Sequence, residues 1–148
     1  IGLFSSCDKC KDVDCLNSGT CDKGECECTT FYSGDKCEAE IRADYNATYA
    51  GTFGFGDGTS FADTIQLRSF GTDVSKLEII DGEGIILTLT SATNFNLFAE
   101  EIDDSAKYTV SGTGNFSSTA MSLTGTSTEA KNGQIIDVET ISFNGIKI

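Results

Sequence analysis

Residues 107–128 read Lys107-Tyr108-Thr109-Val110-Ser111-Gly112-Thr113-Gly114-Asn115-Phe116-Ser117-Ser118-Thr119-Ala120-Met121-Ser122-Leu123-Thr124-Gly125-Thr126-Ser127-Thr128. Tyr108, Val110, Gly112, Gly114 and Phe116 occupy every second position, and so do Met121, Leu123 and Gly125. Thr, Ser and Asn fill most of the positions between. A period of two belongs to a strand with one face against a core and the other toward water. The glycines on the apolar face let the strands bend, which closing a small barrel requires.

The same alternation extends in both directions. Tyr49, Gly51 and Phe53 alternate with Ala50 and Thr52, Ile65 and Leu67 with Gln66 and Arg68, and Leu77 and Ile79 with Lys76 and Glu78. Leu87 and Leu89 alternate with Thr88 and Thr90. The pattern predicts strands over 47–55, 63–70, 75–80, 85–90, 94–99, 107–116, 119–128 and 135–147. Asp57-Gly58, Asp81-Gly82 and Asn132-Gly133 supply residues that tolerate positive φ in tight turns. No segment carries a sustained 3.6-residue period. The chain is thus expected to be mainly β, and successive antiparallel strands with short turns most simply make an eight-stranded up-and-down β-barrel. A two-sheet β-sandwich is the alternative. Bulky Phe, Leu and Ile on short strands predict an interior filled by side chains.

The start of the chain has a different composition. All seven cysteines of the 148 residues lie between Cys7 and Cys37. A segment of about 30 residues buries too little apolar surface to fold without staples. Disulfides are favoured over a metal site, because the spacing lacks the paired C-x2-C of zinc ribbons. They imply an oxidising compartment. Six cysteines leave many pairings open, and spacing alone does not choose among them.

Three pieces of this segment resemble EGF-like modules. Cys15-Leu16-Asn17-Ser18-Gly19-Thr20-Cys21 is similar to their C-x-N-G-G-T-C region, and Cys26-Glu27-Cys28 to their C-x-C step. Tyr32-Ser33-Gly34-Asp35-Lys36-Cys37-Glu38 is similar to their closing Y-x-G-x-x-C-E, with Phe31 where the family has Gly. The resemblance implies the pairs Cys10–Cys21, Cys15–Cys26 and Cys28–Cys37. Some such modules bind calcium through acids before the first cysteine; here Asp8 and Lys9 precede Cys10 with no Glu or Gln beside them, and Asp12 and Asp14 follow it, so no metal is expected.

Cys7 is left over, and Ile1-Gly2-Leu3-Phe4-Ser5-Ser6 before it is apolar and then small. This resembles the end of a signal-peptide apolar region followed by a bacterial lipobox, which implies cleavage after Ser6 and a lipidated Cys7. The expected organisation is a residual signal-peptide end over 1–6, an EGF-like module with the lipidated cysteine over 7–40, and a barrel over 41–148. Apart from a lipid on Cys7, no cofactor is expected. No segment reaches the roughly 18 continuous apolar residues of a membrane-spanning helix.

Tyr49-Ala50-Gly51-Thr52-Phe53 and Val110-Ser111-Gly112-Thr113-Gly114 resemble the small lipocalin-like domains of Bacteroidota lipoproteins. Lipobox, EGF-like module and barrel together resemble an outer-membrane lipoprotein of that group. The resemblance implies attachment to the bacterial outer membrane, on its outer face or the periplasmic one, and an outer-membrane protein or complex as partner.

Composition removes whole classes of function. The chain has no His, which excludes Ser-His-Asp triads and His-ligated zinc. Its net charge of −13 is carried by both parts, −5 before Ile41 and −8 from it onward, and argues against nucleic-acid binding. Gly54-Phe55-Gly56-Asp57-Gly58 is not a phosphate loop, because no helix follows it. Glu100, Glu101, Asp103 and Asp104 are the remaining catalytic raw material, and they read as a solvated acidic loop. The chain is therefore expected to be a non-enzymatic accessory protein. Phe98, Ile80, Ile86, Ile141 and Phe143 are read as outward-facing apolar residues available to a protein partner. The alternatives are a glycan- or small-ligand-binding lipoprotein, with Phe61, Phe70 and Phe98 as aromatic platforms, or an inhibitor of a hydrolase.

Overall fold

The computed structural model describes residues 9–80, 82 and 84–148. Cys7, the expected lipidation site, lies outside the described residues, as do residues 1–6 and Asp81 of the expected Asp81-Gly82 turn. The chain divides into two compact units, one ending at Ile41 and the other spanning Arg42–Ile148.

The first unit carries three disulfides, Cys10–Cys21, Cys15–Cys26 and Cys28–Cys37, the pairs that the resemblance implies. Its secondary structure is two small antiparallel ladders. β1 (Thr20–Asp22) pairs with β2 (Glu25–Glu27), and β3 (Tyr32–Ser33) with β4 (Ala39–Glu40). Lys23 and Gly24 both take positive φ (52° and 97°), as a two-residue turn between β1 and β2 requires. Among the described residues up to Ile41, only Cys37 is fully buried. Covalent bridges therefore replace the apolar core that the segment lacks.

The second unit is a closed, antiparallel, eight-stranded barrel. Its strands are β5 (Thr48–Phe55), β6 (Ser60–Ser69), β7 (Lys76–Ile79), β8 (Ile86–Leu89), β9 (Asn94–Asp103), β10 (Ala106–Phe116), β11 (Ala120–Lys131) and β12 (Gln134–Lys147). Each pairs with the next, and β12 returns to β5 to close the ring. Asn132 and Gly133, at φ 51° and 76°, join β11 to β12 through the tight turn that their residue types predict. Gly112 and Gly125 face one another across β10 and β11. A Cβ on Gly112 would stand 2.4 Å from the carbonyl oxygen of Thr124. Only glycine permits so close an approach.

The barrel is lopsided: β7 and β8 have four residues each, whereas β9 to β12 have ten to fourteen. The narrow end is packed solid. Tyr49, Leu67, Leu77, Leu87, Leu89, Phe95, Phe116, Met121 and Phe143 are all at most 3% exposed. A 3-10 helix over Ile41–Tyr45 leads into the barrel, and Tyr45 stacks on Phe116 at 3.9 Å between ring centres and donates its hydroxyl to the Ala92 carbonyl at 2.5 Å. Burial pushes the Tyr49 phenol up to about 12. Arg42 is 5% exposed, and its guanidinium donates to the carbonyls of Phe70, Gly71, Asp73 and Lys76 at 2.7–3.2 Å. A buried cation thereby has its desolvation offset by oriented backbone acceptors, and the connection from β6 to β7 is pinned.

The structure revises three expectations. Phe143 does not face outward: it is fully buried, paired with Leu123 and Phe53. Ile141 is in phase with it and also turns inward, opposite Gly125 and Phe55. The reason is register. Closure against β5 puts the odd-numbered residues of β12 inside, although the same face carries Asp137 and Glu139 nearer the strand's start. Finally, the acids at 100–103 are not in a loop. β9 continues through them to Asp103, so Glu100 and Glu101 point to opposite faces.

Candidate functional site

The long strands overshoot the packed core, and the barrel opens at that end into a cavity of about 450 Å³. Its walls include Phe53, Ile65, Ile79, Ile85, Leu97, Val110, Leu123 and Ile141, with Asp63, Thr64 and Gln66 along one side. A second hollow of about 250 Å³ lies between Ala99, Glu101 and Tyr108 and shares Gly82, Ile85 and Val110 with the first. The interior is therefore filled at one end only, a correction to the filled barrel that bulky side chains suggest. The physical cause is the mismatch in strand length. β6 pairs with β7 only from Leu67 to Ser69, so, among the described residues, 60–66 have no strand partner on that side, and the Ile80 N–H donates to the Gln66 carbonyl at 2.9 Å.

Register arranges the inner face of β9 to β12 in rows. Deepest are Phe95, Gly114, Leu123 and Phe143, then Leu97, Gly112, Gly125 and Ile141. Nearer the rim come Ala99, Val110, Ser127 and Glu139, and above them Glu101, Tyr108, Glu129 and Asp137. The lining passes from apolar to acidic along the axis. β12 has a bulge at this level, where Glu129 faces Asp137 but Ala130 faces Ile135. Across the rim the Tyr108 hydroxyl meets Glu129 Oε1 at 3.3 Å, and Lys131 Nζ meets the same oxygen at 3.1 Å. The Glu129 carboxylate raises the Tyr108 phenol above its ordinary value by charge repulsion and raises the Lys131 ammonium through the hydrogen bond.

An aromatic group completes the opposite wall. Phe61 lies in register with Phe53, 5.5 Å from it between ring centres and 5.7 Å from Phe55, so it belongs to the mouth and not to an exterior platform. Phe53 in turn rests on Phe143 at 4.8 Å.

The other sequence-derived candidates are dispersed. Ile80 lies beyond β7 at the cavity edge. Ile86 and Phe98 are neighbours on the outer surface, with Phe98 55% exposed. Ile141 and Phe143 belong to the interior, so the five residues do not form one surface. Glu100 turns outward and pairs with Lys107 at 2.7 Å, away from Glu101. Among the described residues, no three His, Cys, Asp or Glu side chains are grouped to hold a metal. Sequence reasoning missed the rim carboxylates Asp137 and Glu139. The available signal was that they share a face with Ile141 and Phe143, a polar-to-apolar change along one strand.

No family model matches the chain, and no curated protein matches it. Among solved structures, that of EF1p2_mFAP2b bound to DFHBI is similar over 73% of this chain and 97% of that one, at 13% sequence identity and a TM-score of 0.49.

Proposed function

We propose that this chain is an exported, non-enzymatic binding protein that holds a small, largely apolar ligand in the mouth of its barrel. The observation that carries this is the open cavity of about 450 Å³ above a packed floor. Pockets of a few hundred cubic ångströms with apolar walls and a few convergent polar groups are the usual form of small-ligand sites. Val110, Ile79, Ile85 and Ile141 remain partly accessible there. The test is titration with N-phenyl-1-naphthylamine, an uncharged dye that brightens in apolar surroundings. Saturable one-site binding is expected, lost when Val110→Phe fills the junction of the two hollows. No response, or an equal response from both proteins, sinks the reading.

The setting we propose is the bacterial outer membrane, with an EGF-like disulfide module next to a lipid on Cys7. The three bridges support export to an oxidising compartment. The lipid rests on the sequence around Cys7. The adjacent outward pair Ile86 and Phe98 favours a second role, contact with an outer-membrane protein. Protein isolated from native membranes in mild detergent is expected to begin at an acylated Cys7, and any stoichiometric partner is expected to be lost on Phe98→Asp. An unmodified terminus at Ile1 removes the anchor from this picture, and a partner indifferent to Phe98→Asp removes the surface.

A further inference from the structure

The charge at the mouth is one-sided. Asp63, Glu101, Glu129, Asp137 and Glu139 occupy inward positions around it, spread over β6, β9, β11 and β12. The basic residue on the inner face at this end is Lys131, and its ammonium is already engaged by Glu129. Arg68, Lys76 and Lys107 all fall on outward positions of their strands, and Arg42 belongs to the packed end. Glu129, one of these carboxylates, also holds the Tyr108 phenol above its ordinary value by charge repulsion.

A ligand whose apolar part lies against Leu97 and Leu123 must leave its head at the level of these carboxylates. An anionic head would sit among like charges, whose summed field repels it. A cationic head would be attracted there.

We propose that the barrel mouth selects amphiphilic cations: an alkyl or aryl body on the apolar floor and an ammonium-type head among the rim carboxylates. The proposal rests on the ligand-binding reading above and adds the sign of the ligand's charge.

The test compares three probes with one ten-carbon chain, decylammonium, decan-1-ol and decanoate, each titrated as the free monomer into the full chain by calorimetry at neutral pH. Decylammonium is expected to bind about 10-fold or more tightly than decanoate, with the alcohol between them. Added salt is expected to narrow that gap, because screening weakens the charge contribution but leaves the apolar one. Glu101→Gln combined with Asp137→Asn is expected to reduce the ratio of decylammonium to decanoate affinity several-fold. If the alcohol binds and decylammonium binds no better than decanoate, the charge selection is wrong and the cavity reading stands. If none of the three binds, both fall.

Discussion

Reduction of the three disulfides is expected to abolish ordered structure between Cys10 and Glu40 while the barrel keeps its cooperative unfolding transition. The bridges close short segments, with partners 11, 11 and 9 residues apart. Each contributes about 2–3 kcal/mol by restricting the unfolded chain. What remains without them is two ladders of three and two residue pairs around one buried cysteine, and isolated two-stranded hairpins are marginal in water. No cysteine lies beyond Cys37, so the barrel loses nothing covalent. The measurement is amide hydrogen exchange before and after reduction. Protection at the paired amides of β1 and β2 should vanish, and protection on β10 to β12 should persist. Loss of the barrel's protection as well would show that its stability depends on the module.

Phe143→Ala is expected to cost the barrel about 3–5 kcal/mol, the range for truncating a buried aromatic. The residue is fully buried, and its ring lies against Phe53 and fills the space that the missing side chain of Gly145 leaves open. Ile146→Ala, on the opposite face of the same strand at 65% exposure, is expected to change stability by no more than about 0.5 kcal/mol. Denaturant titration of both variants measures the contrast. Equal effects would mean that β12 pairs in the other register, with its faces exchanged. Because small domains are stable by only about 5–15 kcal/mol, the first substitution removes a large fraction of the total.

That contrast also shows where local reading stops. Residues 107–128 announce two strands and their inward faces, because alternation there is clean and glycine or apolar residues share one phase. β12 is harder. Asp137, Glu139, Ile141 and Phe143 share one face, while Ile136, Val138 and Ile146 mark the other. Alternation by itself does not say which set is inside. Closure against β5 decides it, by setting Phe143 beside Phe53. Glu100 to Asp103 pose the same problem in reverse. Three acids in four positions look like a loop, yet pairing with β10 carries the strand through them, and only the next acid, Asp104, sits in the turn.

The amino-acid sequence by itself determined the division into a cysteine-rich segment and a β-stranded one, because cysteine placement and a two-residue period are local properties. It also determined the overall acidity and, through the absence of His, which catalytic chemistries are unavailable. Only the tertiary structure decided which carboxylates gather at the mouth and that the interior is open at one end. Both depend on how far each strand overshoots its neighbours around a closed ring. That offset is a relation between strands distant in sequence, so no single segment encodes it.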